Sequence, residues 1–144
     1  TLFMNHVKRI AALALALALV LSLAACGGSK TRKVTDFLTE KMPGEYAEAT
    51  KATTVTDASD GSFNVELTID LPSGGASDED MFDTIAFEAS YLIDEVFAEP
   101  PYPLNFKIHF LKDGADFGDI ERTHDNPVFY RTYQGTTDTF QFQM

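Results

Sequence analysis

A chain of 144 residues, 44% of them hydrophobic and 23% charged, is long enough for one domain with its own core and short for two. Its 22 acidic residues against 11 basic ones leave a formal charge of −11, which disfavours nucleic acid because phosphates are repelled. A single cysteine excludes an internal disulfide.

Met4 to Arg9 forms a short basic head with Lys8 and Arg9, and Ile10 to Ala25 carries no charge. A basic head, an apolar stretch and small residues at its end are the parts of a secretory signal peptide. The apolar run of 16 residues falls short of the roughly 20 that span a bilayer core.

Leu23, Ala24, Ala25 and Cys26 follow in order. They resemble the lipobox of bacterial lipoproteins, in which a dedicated signal peptidase cuts before a cysteine whose thiol has received a diacylglycerol. The resemblance covers the precursor segment. It implies a lipoprotein with a signal peptide at 1–25, lipid attachment at Cys26 and a cell-membrane location facing outside the cytoplasm. Each buried methylene contributes about 0.8 kcal/mol, so two acyl chains anchor stably where one is marginal. A thioether at Cys26 leaves no thiol for catalysis or metal binding. With Lys8 and Arg9 removed, nine basic residues face 22 acidic ones, a formal charge of −13.

Residues 26–30 read as a flexible tether, and 31–144 as a single α+β domain. In "TRKVTDFLTEKMPG", Val34, Phe37, Leu38 and Met42 share one helical face, and Pro43-Gly44 stops the helix. Ala49 to Asp57, rich in threonine and valine, predicts a strand, and Asp60-Gly61 a tight hairpin turn. Phe63, Val65, Leu67, Ile69 and Leu71 alternate with Asn64, Glu66, Thr68 and Asp70, the pattern of a strand with one buried face. After a loop at Pro72 to Ala76, Ser77 caps a helix whose acidic start, Asp78, Glu79, Asp80 and Asp83, faces the positive end of the helix dipole. Phe82, Ile85, Ala86, Ala89, Leu92, Ile93, Val96 and Phe97 form its apolar stripe, and Pro100-Pro101 ends it after about Ala98.

Leu104 to Lys112 alternates again, burying Phe106, Ile108 and Phe110 and presenting Asn105, Lys107 and His109. Asp113-Gly114 turns into a weaker strand through Phe117 and Ile120. A third pair is expected at Val128 to Gln134 and Thr139 to Met144, with Phe140, Phe142 and Met144 sharing a face. The predicted fold is α+β, an antiparallel sheet of four to six strands with two helices on one face, in the order αββαββ(ββ). The helix-plus-hairpin order, read twice in the first two thirds, is similar to that of BON domains, small lipid-associated modules of bacterial envelopes. That likeness rests on order alone.

Chemistry-bearing residues are scattered. His109, out of step with its apolar neighbours, belongs on the open sheet face near Lys107 and Glu66, where a solvated face is the ordinary outcome. His124-Asp125 precedes Asn126-Pro127 in a turn-like stretch, and adjacent strand residues point apart, so the pair is no catalytic dyad. Asp113, Asp116, Asp119 and Glu121 offer oxygen ligands for a hard cation, but their spacing is not that of an EF-hand loop, and hairpin residues are the simpler reading. Asp94, Glu95 and Glu99 oppose the dipole at the end of their helix without an evident purpose. No phosphate loop, dinucleotide fingerprint, zinc spacing or nucleophile elbow occurs, so no cofactor is implied.

The expected function is a membrane-tethered binding or interaction module of the cell envelope, bound to the bilayer through Cys26 and to an envelope protein through its open sheet face or a strand edge. A cluster of aromatics on that face would mark a docking surface, and an evenly charged one would not. One alternative is a small hydrolase using Glu66, His109, His124 and Asp125. Another is capture of a small ligand between helix and sheet, which requires a cavity among Phe82, Phe97, Phe106 and Phe110.

Overall fold

The computed structural model describes residues 28–141. The lipobox, the signal peptide, Phe142 and Met144 lie outside the described residues. Helix α1 occupies 28–41 and sinks Val34 and Leu38 into the core. Residues 28–30, expected in the tether, are helical. The reason is tertiary, because Thr31 is itself buried and docks the start of α1 on the domain.

Pro43 ends α1, since proline cannot donate to the preceding turn. A short helix α2 (Gly44–Ala49), not foreseen, follows at once. It buries no residue fully and is ordered through Tyr46, whose hydroxyl donates to Glu88 and whose ring lies 6.1 Å from that of Tyr91. Strands β1 (Thr50–Asp57) and β2 (Phe63–Leu71) form the first hairpin. Their connection is the five residues 58–62 rather than a two-residue turn. The Asp57 and Asp60 carboxylates accept the Ser59 and Ser62 backbone N–H groups at 2.7 and 2.9 Å, which satisfies the wider loop.

Ser77 caps α3 (Asp78–Ser90), accepting the Asp80 N–H at 3.2 Å. The helix then widens into a π-helical turn, Tyr91–Val96, closed by the Phe97 N–H to the Leu92 carbonyl at 2.8 Å. Apolar residues spaced by four drift around an α-helix, and the wider turn returns Ile93 and Phe97 to the face of Ile85 and Ala89. All four are buried.

Strands β3 (Leu104–Lys112), β4 (Ala115–Arg122), β5 (Phe129–Tyr133) and β6 (Thr136–Phe140) complete one six-stranded sheet in the order β1-β2-β3-β4-β5-β6. Two-residue turns join β3 to β4 and β5 to β6. Asp113-Gly114 has φ of 50° and 84°, and Gln134-Gly135 has 50° and 77°, the double positive φ of a type I′ hairpin. The last strand therefore begins at Thr136, ahead of the expected Thr139.

The sheet is mostly antiparallel, with one departure from expectation. β2 and β3 run parallel in nine consecutive pairs, Phe63↔Leu104 to Leu71↔Lys112. The chain from Leu71 to Leu104 includes α3, which carries it back along the sheet before β3 begins, as a parallel pair requires. The element order is ααββαββββ.

The core lies between the helices and the inner sheet face, with Val65, Leu67, Ile69, Phe106, Ile108, Phe110 and Ile120 meeting Val34, Leu38, Ile85, Ala89, Leu92 and Phe97. Burial of each such large side chain contributes roughly 1.5–3 kcal/mol. Phe97 stacks on Phe106 with centroids 5.7 Å apart. Towards β6, an ionic clamp replaces hydrocarbon. Arg131 is bidentate to Asp138 at 2.7 and 3.0 Å, donates to the Phe82 carbonyl at 3.0 Å, and lies over the Phe82 ring. Arg122 pairs with Asp94, which gives that helix-end acid its partner.

Gly118 on β4 lies under α3 with no room for a side chain, since an added Cβ would sit 3.0 Å from the Thr132 carbonyl oxygen and 3.1 Å from Ile85 Cδ1. Gly118→Ala should destabilise the domain by roughly 1–3 kcal/mol, the range of core overpacking. Urea unfolding measures it, and unchanged stability would mean that the helix and sheet separate freely there.

Candidate functional site

The helices occupy one sheet face, and alternation sends every second strand residue to the other. Register aligns those outward residues in rows. One row runs Thr54, Glu66, Lys107, Glu121, Tyr130 and Thr139, from β1 to β6. The next runs Ala52, Thr68, His109, Asp119, Thr132 and Thr137. Cross-strand neighbours on one face interact directly, so the alternating charges pair. Lys107 Nζ lies 3.7 Å from Glu121 Oε1, and the Thr132 and Thr137 hydroxyls are 3.0 Å apart.

His109 stands where its alternation places it, and Glu66 is beside it. Its Nε2 is 3.0 Å from Glu66 Oε1 on β2, and its Nδ1 is 2.7 Å from Asp119 Oδ1 on β4. Two carboxylates can be satisfied together only if both ring nitrogens donate, so the arrangement favours imidazolium. Partial burial pushes the His109 pKa down, but the hydrogen bonds it donates to Glu66 and Asp119 outweigh it and the net shift is upward. An imidazole with both nitrogens engaged by carboxylates is a poor general base.

At the end of the sheet where β2 and β3 begin, the open face deepens into a groove of about 800 Å³. Glu66, Lys107, Glu121 and Tyr130 form its floor, with Asp60 from the β1–β2 loop and His124 and Asp125 from the β4–β5 loop. Asn105 ties these loops to β3. Its amide nitrogen donates to Ser62 Oγ and Asn64 Oδ1, both at 3.1 Å, and its oxygen accepts the His124 N–H at 3.0 Å and Nδ1 at 2.9 Å. His124 is thus bonded to Asn105 rather than to Asp125. Ser62 hydrogen bonds lower the Asp60 pKa, keeping that carboxylate charged. Four carboxylates line the groove. Of its cations, Lys107 is paired with Glu121, and Arg122 reaches Asp94 on the helix side.

The hydrolase residues converge only in part. Glu66 and His109 touch, and Glu66, His124 and Asp125 share the groove, which does not include His109. The possible cation ligands do not converge. Asp113 closes the β3–β4 turn, accepting the Ser73 N–H at 2.9 Å, while Asp119 binds His109 and Glu121 binds Lys107. Among the described residues no group of three or more acids, histidines or cysteines is placed to hold a metal ion. Phe97, Phe106 and Phe110 are buried in the core and Phe82 is covered by Arg131, so these rings fill the space that ligand capture requires.

Among the described residues the large exposed hydrophobic side chains are Phe87, Tyr91 and Tyr130, of which Tyr130 alone stands on the open face. That face is therefore threonine and charge around one tyrosine, not the aromatic cluster expected of a docking surface; what distinguishes the groove is an uneven charge, with Asp60, Glu66, Glu121 and Asp125 against Lys107 and Arg122. Sequence alone marks Asp60 only as a turn residue and does not single out Tyr130. The alternation of Phe129, Tyr130 and Arg131 points Tyr130 outward, but its place beside Glu121 depends on the β4–β5 register. Comparison with protein-family models, curated proteins and solved structures gives no match.

The His109 pKa lies above its ordinary 6.5 in the folded chain. The stabilisation is therefore fully present below the unfolded pKa and is lost as pH rises through the folded value. His109→Gln should cost on the order of 0.2–1 kcal/mol in mildly acid solution, the range of exposed pairs, and less at alkaline pH. Urea unfolding of both forms across pH reads the difference, and imidazole titration by NMR gives the pKa itself; a downward shift would contradict the doubly bonded geometry.

Proposed function

We propose that the chain is an extracytoplasmic lipoprotein, anchored in the cell membrane through acylated Cys26, which binds a basic segment of another envelope protein in the groove of its open sheet face. The anchor is supported by the order of basic head, apolar run, Leu23-Ala24-Ala25 and Cys26. The observation that carries the binding reading is the groove of about 800 Å³ with Asp60, Glu66, Glu121 and Asp125 around Tyr130.

A lysine or arginine entering there meets Glu66 and Glu121, each already paired across strands, and the loop carboxylates Asp60 and Asp125. It can also lie on the Tyr130 ring, a contact worth about 0.5–1 kcal/mol at an exposed site. The strongly acidic surface steers a basic partner towards the groove and repels nucleic acid. Binding made mainly of exposed charge is sensitive to salt, and its specificity comes from how the partner's cations match the carboxylate spacing. The groove needs no catalytic group for this, and the engaged state of His109 fits a binding face better than a hydrolytic one.

Crosslinking in intact cells, followed by mass spectrometry, tests the reading with wild type, Cys26→Ala and the pair Asp125→Lys with Tyr130→Ala. One partner should be captured by the wild type, with yield reduced roughly tenfold by the groove variants, equivalent to about 1.4 kcal/mol. Loss or mislocation of that partner with Cys26→Ala ties it to the anchor. Equal capture by correctly folded groove variants would remove the groove from the account.

A further inference from the structure

The start of α1 differs electrostatically from the rest of the domain. Lys30, Arg32 and Lys33 are all exposed, and none has a carboxylate within ion-pair distance among the described residues. The four cations of β3, β4 and β5 are each paired: Lys107 with Glu121, Lys112 with Asp78, Arg122 with Asp94 and Arg131 with Asp138. Helix stability does not explain the basic group. Gly28 opens α1 with φ of 76°, so Lys30, Arg32 and Lys33 lie in its first turns and oppose the dipole there.

The loop before β3 lies against the same turn. Lys30 Nζ is 5.7 Å from the centroid of the Tyr102 ring, and Tyr102 stands between Pro101 and Pro103. Basic side chains beside a tyrosine suit the headgroup layer of a bilayer, where aromatic rings settle and cations meet lipid phosphate. Only Gly27 stands between Cys26 and Gly28 in the sequence, a reach of at most about 7 Å.

We propose that Lys30, Arg32, Lys33 and the Tyr102 loop form a membrane-contact patch that lies on anionic phospholipid headgroups and fixes the orientation of the domain. The proposal rests on the anchored reading and adds a second contact to it. The acyl chains hold the protein at the bilayer, and the patch decides which side faces it. The patch also offsets the repulsion between an acidic domain and an anionic surface.

The test uses the full chain with acylation of Cys26 verified by mass, reconstituted into vesicles of phosphatidylcholine alone or mixed with phosphatidylglycerol. The chain has no tryptophan, so Tyr102→Trp is a single reporter. Its emission should shift to the blue and be quenched by brominated acyl chains in the anionic vesicles. Both effects should fall in high salt, and Arg32→Glu with Lys33→Glu should change the docked-to-undocked ratio by at least about 20-fold. Amide exchange at residues 28–35 of the otherwise unaltered chain guards against a fold defect in the reporter, and should slow on anionic vesicles only. An acylated protein with the same emission, quenching and exchange on both vesicles overturns the patch while leaving the anchor intact. An unmodified Cys26 overturns the anchored reading and the patch together.

Discussion

The parallel pairing of β2 with β3 is the constraint from which the rest of the architecture follows. Two parallel neighbours cannot be joined by a hairpin, so the chain must travel the length of the sheet between them, and here it does so as α3 and its π-helical turn. That return path covers the inner face of β3 and β4. Once it is covered, the core is determined: Ile85, Ala89, Leu92, Ile93 and Phe97 must meet Leu67, Phe106, Ile108 and Ile120. With α1 and α2 also contributing to that core, the outer face is free to carry polar rows.

Charge pairing extends this division into the parts of the domain that hydrocarbon does not reach. Arg131 points inward on β5, where a leucine would be usual, yet each of its donor groups is directed at an acceptor: the Asp138 carboxylate on β6 and the Phe82 carbonyl on α3. The clamp joins the last hairpin to the helix that covers the core. A buried cation with a bidentate partner is tolerated because both charges are compensated, whereas removal of Asp138 would leave the guanidinium desolvated and unpaired. On the open face the same chemistry occurs in water. There Glu66, Lys107, Glu121, His109 and Asp119 alternate in sign across strands, an arrangement that sets register more than it adds stability.

What could be read from sequence depended on whether the responsible interaction was local. The alternation from Phe63 to Leu71 and from Leu104 to Lys112 is a property of each strand alone, and both strands begin and end where it predicts. Ser77 and Asp113-Gly114 act within a few residues, and the cap and turn form as expected. His109 beside Glu66 followed from alternation together with the sharing of one face. The β2–β3 direction was not legible, because nothing within either strand encodes which way its neighbour runs. β6 carries no apolar period, since four of its five residues, "TTDT", are exposed, and the positive φ at Gln134 is unusual for glutamine. The inward Arg131 likewise contradicts any rule of burial by residue type until Asp138 is known to stand opposite.

The groove and the basic turn of α1 lie at the same end of the sheet. Phe63 opens β2 and packs its ring 5.3 Å from Tyr102, which in turn is within reach of Lys30. Asp60, Asn64, Asn105 and His124 surround that same beginning of β2 and β3 on the open side. Opposite potentials are therefore held a short distance apart, with the positive one next to the proposed anchor. An anchored domain resting on its basic turn would hold the carboxylates of the groove near the bilayer but facing away from its phosphates. A basic segment reaching the groove would then have to lie close to the membrane, as it does in the juxtamembrane region of an integral membrane protein. Lysines and arginines in such a segment would otherwise be attracted to anionic headgroups, and on the proposed reading the four carboxylates with Tyr130 would compete for them.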